Sequence, residues 1–167
     1  MKTFHNSSQK SGGFTLIEIM VVISIMAIVF GGGIAAYVNL NERQATFNVG
    51  ESVRTMLVAA QKKARVGDVP APQAGLVCDH LTGYTVGNNS PISIMLAANC
   101  QNNAQFIVNT VVVPTSISLI SSPTIKFATL QGGVTGSGTF SLQSTNWVYS
   151  FVVDAGGSIS DATMVKR

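Results

Sequence analysis

Charged side chains are scarce in this sequence: Asp, Glu, Lys and Arg make up 10% of its 167 residues, against roughly 25% in ordinary soluble domains. The formal net charge of +3 includes Lys2 and Lys10, so the rest of the chain is close to neutral. Nucleic-acid-binding domains need clustered cations that displace counterions. The overall charge is therefore not that of a nucleic-acid-binding domain.

Groups that perform acid–base or nucleophilic catalysis are equally scarce. Of the two histidines, His5 lies at the extreme N-terminus, which leaves His80 as the one candidate base. No spacing pairs Asp79, Asp154 and Asp161 as catalytic acids. The chain has neither a Gly-x-Ser-x-Gly elbow nor a phosphate-binding loop. We therefore predict no catalytic residue, no cofactor and no enzymatic activity.

What the sequence does contain is a long apolar run from Phe14 to Tyr37. Its polar side chains between Phe14 and Phe30 are Thr15, Glu18 and Ser24. As a helix the run would be roughly 36 Å long, at about 1.5 Å per residue. That length crosses a hydrocarbon core of about 30 Å. The pattern predicts one membrane-spanning helix over residues 14–37.

Glu18 is unusual within this span, because a carboxylate inside a membrane helix costs on the order of 3 kcal/mol. The span contains no Lys, Arg or His to pair with it. Cleavage after Gly13 would place a cationic amine on Phe14, close enough to serve as the partner in the same helix or in a neighbouring one. The alternative is that Glu18 lies at the membrane interface and reaches water.

The segment Lys10-Ser11-Gly12-Gly13, followed by Phe14-Thr15-Leu16-Ile17-Glu18, resembles the class III signal of type IV pilins and type II secretion pseudopilins. The resemblance implies that a prepilin peptidase cuts after Gly13 and methylates Phe14. It also implies that Glu18, at the fifth mature position, pairs with the Phe14 amine of a neighbouring subunit during assembly.

One position departs from this family's pattern. Many pilins have a proline near mature position 22, where this chain has Ala35. Gly31, Gly32 and Gly33 are candidates for the same role, because each glycine weakens a helix by about 1 kcal/mol. We expect a locally melted helix at these glycines in the assembled filament.

The resemblance implies an α+β pilin fold, in which a long N-terminal helix packs on a mainly antiparallel β-sheet. We expect a leader at 1–13, a membrane-spanning and filament-core helix at 14–37, its amphipathic continuation at 38–66 and a β-rich exported domain at 67–167. Lys2 and Lys10 precede the span, which favours a cytoplasmic N-terminus in the inner membrane. The protein would then leave the membrane for a periplasmic or cell-surface filament.

The expected function is that of a structural subunit of a type IV pilus or a type II secretion filament. Its expected partners are copies of itself, other pilins, the prepilin peptidase and the inner-membrane assembly platform. One alternative is a minor pilin that binds DNA or a surface. Another is conventional secretion, with cleavage near Gly33–Ala36 and a mature chain that begins at Ala36 or Tyr37.

Helical spacing continues from Val38 to Val66. Apolar residues recur there every three or four positions and form one stripe: Ala45, Val49, Val53, Met56, Leu57, Ala60 and Ala64. Lys62, Lys63 and Arg65 crowd the last turns, where cations favour a helix C-terminus. The segment 67–72 (Gly-Asp-Val-Pro-Ala-Pro) then ends the helix.

From Gly75 onward the pattern is one of short β-type runs. Predicted strands are Gly83–Val86, Ile92–Leu96, Gln105–Val113, Ser116–Ile120, Thr124–Leu130, Gly138–Leu142 and Asn146–Asp154. Predicted turns are 87–91, 131–133 and 155–157. In the last strand Trp147, Tyr149, Phe151 and Val153 alternate with other residues, which predicts an aromatic face toward the core.

The two cysteines, Cys78 and Cys100, fall in the exported part, where disulfides persist. A bridge between them would close a loop over the predicted hairpin and stabilise the fold by about 3 kcal/mol. The alternative is a metal site formed by Cys78, His80 and Cys100, but it lacks a fourth ligand and the usual paired spacing.

The C-terminal third resembles the end of the GspH/FimT group of minor pilins and pseudopilins. The matching pieces are Ile125-Lys126-Phe127, the glycine-rich 132–136, the strand Tyr149–Val153 and Gly156-Gly157-Ser158-Ile159. Some members of that group bind DNA through arginines after the glycine turn. Because 156–160 contains no arginine, the resemblance does not carry DNA binding over to this chain.

Overall fold

The structure, a computed structural model, describes residues 13–73, 75, 77–130 and 133–167, apart from the side chains at 32, 33 and 35. The leader residues Lys2, His5 and Lys10, and most of the predicted turn at 131–133, lie outside the described residues. Contacts within the chain divide it into two units, one that ends at Val38 and one that spans Asn39–Arg167. The described residues form one helix and nine strands.

Helix α1 spans Leu16–Val66. It ends directly before Gly67, the glycine that predicts a helix end in the sequence. Gly67 adopts a left-handed φ of 65°. Its amide donates to the Ala64 carbonyl at 3.2 Å, and the Asp68 amide donates to the Lys63 carbonyl at 3.0 Å. This pair of bonds is a Schellman motif, which satisfies carbonyls that the helix end leaves free. The predicted end of the helix is confirmed.

The apolar stripe predicted on the second unit's part of α1 is confirmed. Five of its members are buried, and Ala45 and Val49 are partly buried against the same core: Val53, Met56, Leu57, Ala60 and Ala64. Thr46 is also fully buried, and its hydroxyl donates to the Glu42 carbonyl one turn earlier at 2.9 Å. A buried hydroxyl needs such a partner, so the threonine fits beside the stripe.

Two antiparallel sheets cover this face of the helix in the second unit. The five-stranded sheet has the order β3-β2-β1-β5-β6, and the four-stranded sheet has the order β4-β7-β8-β9. The strands are β1 Leu81–Ser90, β2 Ser93–Cys100, β3 Gln105–Val112, β4 Ser118–Ser121, β5 Ile125–Ala128, β6 Val134–Thr135, β7 Gly138–Gln143, β8 Trp147–Val153 and β9 Thr163–Lys166. The predicted α+β class, with a long helix on a mainly antiparallel sheet, is confirmed.

The predicted turn at 87–91 is wrong. β1 continues through Ser90, and the turn occupies only Pro91 and Ile92. Gly87 pairs with Met95 inside the ladder, and a Cβ there would lie 2.8 Å from Oγ1 of Thr124. The glycine therefore permits a close side-chain approach rather than a chain reversal, and composition alone does not separate these two uses.

Strands β6 and β9 were not predicted. β6 has two residues, too few to show an alternating pattern. β9 is a short, exposed edge strand next to β8, with Lys166 opposite Trp147. Neither strand carries the buried β-branched run from which strands are recognised in a sequence.

The aromatic alternation on β8 is confirmed, because Tyr149, Phe151 and Val153 are buried whereas Trp147 is half-buried. Phe151 stacks on Phe140 of β7, with ring centroids 5.2 Å apart. The Tyr149 ring lies directly over the helix at Gly50, where a Cβ would come within 2.3 Å of it. Gly50 therefore brings the helix backbone into contact with an aromatic ring of the sheet.

Candidate functional site

The predicted processing site lies immediately before the helix. Gly13, Phe14 and Thr15 are non-helical, and Phe14 is 78% exposed. The Thr15 carbonyl accepts hydrogen bonds from the amides of Glu18 (3.1 Å) and Ile19 (3.3 Å). The Gly13–Phe14 peptide bond therefore lies in exposed, non-helical backbone just before the helix.

Gly13 has no packing role among the residues that the structure describes. A Cβ built at this position meets no atom within 4 Å. Its backbone is also outside the left-handed region that favours glycine. The fold would accept alanine at Gly13, so a requirement for glycine there would come from an outside partner.

Glu18 occupies the first turn of α1. The hydroxyl oxygen of Thr15 accepts a hydrogen bond from the Glu18 amide at 3.3 Å, which makes Thr15 the N-cap. Thr15-Leu16-Ile17-Glu18 has the Thr-x-x-Glu spacing of a capping box. A carboxylate in the first turn also interacts favourably with the helix dipole. This role of Thr15 was not predicted, although the Thr-x-x-Glu spacing alone indicates it.

The first unit presents a long, mostly apolar surface, in which Glu18 and Ser24 are the polar residues between Leu16 and Phe30. Every residue from Leu16 to Phe30 is exposed in the isolated chain. By length and composition α1 can cross a membrane, and none of the residues in its apolar window is buried. Soluble monomers rarely expose patches of this size. The surface is therefore compatible with a helix that is anchored in a membrane.

The three consecutive glycines at 31–33 are helical in the isolated chain. A Cβ on Gly31 would meet no atom within 4 Å, so no contact with the described part of the chain requires this glycine. The locally melted helix concerns the assembled filament and stays a prediction.

Comparison with known proteins identifies the N-terminal segment. The family model described as the prokaryotic N-terminal methylation motif matches residues 8–34. The chain carries the N-terminus of a type IV pilin-like protein. No curated protein matches the chain, and no solved structure matches it. The predicted family resemblance is confirmed for this motif, whereas the GspH/FimT resemblance of the C-terminal third stays a prediction.

The matched segment contains Gly13, Phe14 and Glu18, and the α+β architecture is consistent with the pilin fold. Proteins with this motif are precursors that a prepilin peptidase processes and that assemble into filaments. They are structural rather than enzymatic. The roles of the individual residues Gly13, Phe14 and Glu18 stay predictions.

In the second unit, polar contacts fasten the helix to the end of β8. Nε1 of Trp147 donates to Oδ1 of Asn39 at 2.9 Å, and the Arg43 guanidinium lies 5.2 Å from the centroid of the Trp147 ring. The Tyr149 hydroxyl donates to Oε1 of Glu51 at 2.7 Å. Burial, reinforced by this hydrogen bond, raises the pKa of Tyr149 well above its ordinary value.

The cysteines are bridged: Cys78 and Cys100 form a disulfide with their Cα atoms 5.5 Å apart. The bond ties the end of β2 to the segment before β1, as expected for a bridge over this hairpin. His80 is exposed, and its carbonyl accepts a hydrogen bond from the Gln101 amide at 2.8 Å. Because the disulfide uses both sulfurs, neither is a thiolate ligand, and the metal-site alternative is wrong for this bridged chain.

Three aspartates of the second unit have structural partners. Asp68 pairs with Lys63 after the helix end, where it raises the pKa of that lysine. Asp154 accepts the Ser158 amide at 2.8 Å inside the glycine turn. Asp161 lies 3.2 Å from the Arg54 guanidinium. These contacts place Asp68 and Asp154 in turns and Asp161 on the surface.

Proposed function

We propose that this chain is a structural subunit of a type IV pilus or of a type II secretion-like filament. The observation that carries the proposal is the position of the methylation motif: it includes the exposed residues Gly13 to Thr15 and the start of an apolar helix that the described residues leave uncovered. Membrane lipid covers the helix before assembly, and helices of neighbouring subunits cover it afterwards. The subunit is thus anchored once in the inner membrane before it enters the filament.

Cleavage after Gly13 creates an amine on Phe14, and Glu18 of a neighbouring subunit neutralises it. The span from 14 to 37 contains no other cation. An unpaired charge in an apolar environment costs several kcal/mol. Two neighbouring helices are therefore favoured to pack with an axial shift that brings the amine of one next to the carboxylate of the other. Charge pairing then defines the axial step between subunits.

Mass spectrometry of the mature N-terminus from the native cell tests the processing step. The expected result is a chain that begins at N-methylated Phe14. A chain that begins at Ala36 or Tyr37 would remove the span together with Glu18, and the filament proposal would fail.

The variant Gly13→Ala separates peptidase recognition from folding. Since a Cβ at Gly13 meets no atom, the variant should fold normally and accumulate as unprocessed precursor. Gly31→Ala is the matched control, because it adds the same methyl group where nothing lies within 4 Å, and it should be processed like the unaltered chain. Normal processing of Gly13→Ala would show that the peptidase does not read this glycine.

Glu18→Gln tests assembly separately from processing. The variant keeps the side-chain volume and removes the charge, so we expect normal cleavage and normal amounts in the membrane, with at least tenfold less protein in sheared fibres, equivalent to about 1.4 kcal/mol. Glu42→Gln is the control, because its Oε2 accepts a hydrogen bond from Asn146 at 2.8 Å that a glutamine oxygen also accepts. Unchanged fibre yield from Glu18→Gln would contradict the charge-pairing step.

A minor pilin that binds DNA or a surface remains the alternative from the sequence. An exposed basic or aromatic patch would favour it. The basic residues at the end of α1 include Lys63, which Asp68 already pairs. No observation on the described residues raises this alternative above the structural role.

A further inference from the structure

Cationic side chains from distant parts of the chain meet at one tryptophan in the second unit. The Arg43 guanidinium lies 5.2 Å from the centroid of the Trp147 ring. Lys166 of β9 pairs with Trp147 of β8, and paired residues of antiparallel strands place their side chains on the same face of the sheet. Arg167 follows Lys166 directly, and its amide donates to the Asn146 carbonyl at 2.9 Å. We call Arg43, Trp147, Lys166 and Arg167 the cationic patch.

The charges of the cationic patch are only partly balanced. Glu42 precedes Arg43 in α1, and its Oε2 accepts a hydrogen bond from Nδ2 of Asn146 at 2.8 Å. The ion pairs between described side chains lie elsewhere: Arg54 with Glu51 and Asp161, and Lys63 with Asp68. Three positive side chains therefore stand beside one carboxylate, and none of the three is ion-paired with another described side chain.

An apolar groove of about 240 Å³ adjoins the cationic patch. It is lined by Leu40, Arg43, Gln44, Phe47 and Met164. Leu40 is 56% exposed and Phe47 is 46% exposed. Lys166 lies two residues after Met164, on the same face of β9. This combination of exposed apolar and cationic side chains is typical of surfaces that lie in a membrane interface.

The patch is close to the predicted membrane span along the chain. Asn39, whose Oδ1 accepts a hydrogen bond from Nε1 of Trp147 at 2.9 Å, comes two residues after Tyr37, the end of the span. Two residues reach at most about 7 Å, and the headgroup layer on each side of the hydrocarbon core is roughly 5–7 Å thick. The covalent connection alone therefore keeps Trp147 near the headgroups, where tryptophan is favoured.

We propose that the cationic patch and its groove bind an anionic phospholipid of the membrane that anchors the chain. The inference rests on the proposed function, which includes this anchoring. The Arg43 guanidinium, held against the Trp147 ring, presents its N–H groups to the phosphate, which arginine can bind through two parallel hydrogen bonds. Lys166 supplies a second positive charge. The apolar side chains of the groove contact the glycerol and the first acyl carbons.

Position and composition favour a lipid over a nucleic acid at this patch. Proteins that bind duplex DNA neutralise many phosphates with their cations, whereas the patch has three cations. The exposed side chains of Leu40 and Phe47 suit a partner with acyl chains, because a phosphate backbone offers them no apolar surface. Lipid headgroups are also the anions nearest to the patch as long as the chain is anchored.

Fluorescence quenching of the processed full chain tests the proposal. Trp147 is the one tryptophan of the sequence, so its emission reports on the patch. The chain is placed singly in nanodiscs of phosphatidylcholine that contain either phosphatidylglycerol or phosphatidylcholine with a nitroxide at the start of one acyl chain. Each cation near a membrane surface strengthens the association with anionic lipid about fivefold. Half-maximal quenching should therefore require at least about tenfold less labelled phosphatidylglycerol than labelled phosphatidylcholine.

Two double variants show whether the patch itself is responsible. Arg43→Gln with Lys166→Gln removes two cations of the patch and should abolish the preference for phosphatidylglycerol. Lys62→Gln with Arg65→Gln removes two exposed cations near the other end of α1, about 28 Å along the helix from Arg43, and should keep the preference. Because Arg43→Gln also removes a contact of the tryptophan ring, Lys166→Gln is measured alone. It leaves that contact intact and should weaken the preference about fivefold.

Each outcome bears on a different proposal. Equal quenching by the two lipids in an anchored chain would overturn the lipid site and leave the filament proposal intact. Equal losses in both double variants would show a general charge effect and would also overturn the site. Displacement of the anionic lipid by inorganic phosphate, by duplex DNA or by a second chain in the disc would overturn the lipid as occupant. A chain that does not insert into the discs would remove the anchoring, and both proposals would fail.

Discussion

Gly50→Ala is the substitution for which the structure makes the sharpest prediction. The added Cβ would lie 2.3 Å from two ring atoms of Tyr149 and 2.7 Å from its Cγ, far inside van der Waals contact. The ring cannot swing aside freely. It is 1% exposed, its hydroxyl is bonded to Glu51, and it makes edge contacts with Phe47 and Phe151.

Opposing effects set the size of the change. Alanine in place of glycine stabilises a helix interior by about 1 kcal/mol. Overpacking a well-filled core costs about 1–3 kcal/mol. Displacement of the Tyr149 hydroxyl from Glu51 costs about 1.5 kcal/mol more, because the acceptor is charged. We therefore expect Gly50→Ala to lower the free energy of unfolding by about 2 kcal/mol.

The assay is chemical unfolding of the full chain in detergent, followed by the fluorescence of Trp147, which is the one tryptophan of the sequence and lies half-buried in the second unit. The control repeats Gly50→Ala in a Tyr149→Ala background, where no ring opposes the methyl group. There the substitution should be neutral or stabilise by about 1 kcal/mol. A stabilising effect of Gly50→Ala with the ring present would refute the close contact.

Three further predictions concern the second unit. Replacement of Cys78 and Cys100 by serine should lower the free energy of unfolding by about 3 kcal/mol in the same assay. Burial raises the pKa values of Tyr84 and Tyr149 in the folded chain. The fold therefore favours the neutral phenols, and this contribution to stability is fully present below pH 10. It is lost as the pH rises through the raised pKa values of the folded state. Absorbance titration should show both ionising later in the folded than in the unfolded chain, and simultaneous ionisation would contradict this. Gly67→Ala forces a left-handed alanine at the helix end and should cost about 1 kcal/mol; an unchanged unfolding midpoint would contradict it.

Periodicity was enough to predict the helix and its buried stripe. Residues at intervals of three and four must share one face of a helix, so the spacing alone predicts that Val53, Leu57 and Ala60 lie in the core. The same holds for β8, where alternate residues share a face of the strand. Both predictions concern local geometry, which the order of residues determines directly.

Contacts between distant residues were not predictable in the same way. In the sequence, Gly50 is only a residue of low helix propensity. The structure explains why glycine is needed there, because the Tyr149 ring packs directly on it. The Asn and Pro residues that follow Gly87 predict a turn there. In the structure, however, the Thr124 side chain lies so close that only glycine fits at this position. In both cases the cause lies far away along the chain.

The helix start shows how processing and assembly could depend on one another in the proposed filament. Cleavage places a positive amine on Phe14, just before the Thr15 cap, where the positive end of the helix dipole disfavours a cation by about 0.3–1 kcal/mol. Glu18 in the first turn is favoured by the same dipole. A filament that pairs the amine of one copy with the carboxylate of the next neutralises both charges, whereas an uncleaved chain has the carboxylate alone. Under the proposed pairing, removal of the leader supplies the charge that assembly uses, and an uncleaved subunit should enter fibres poorly even when its helix is intact.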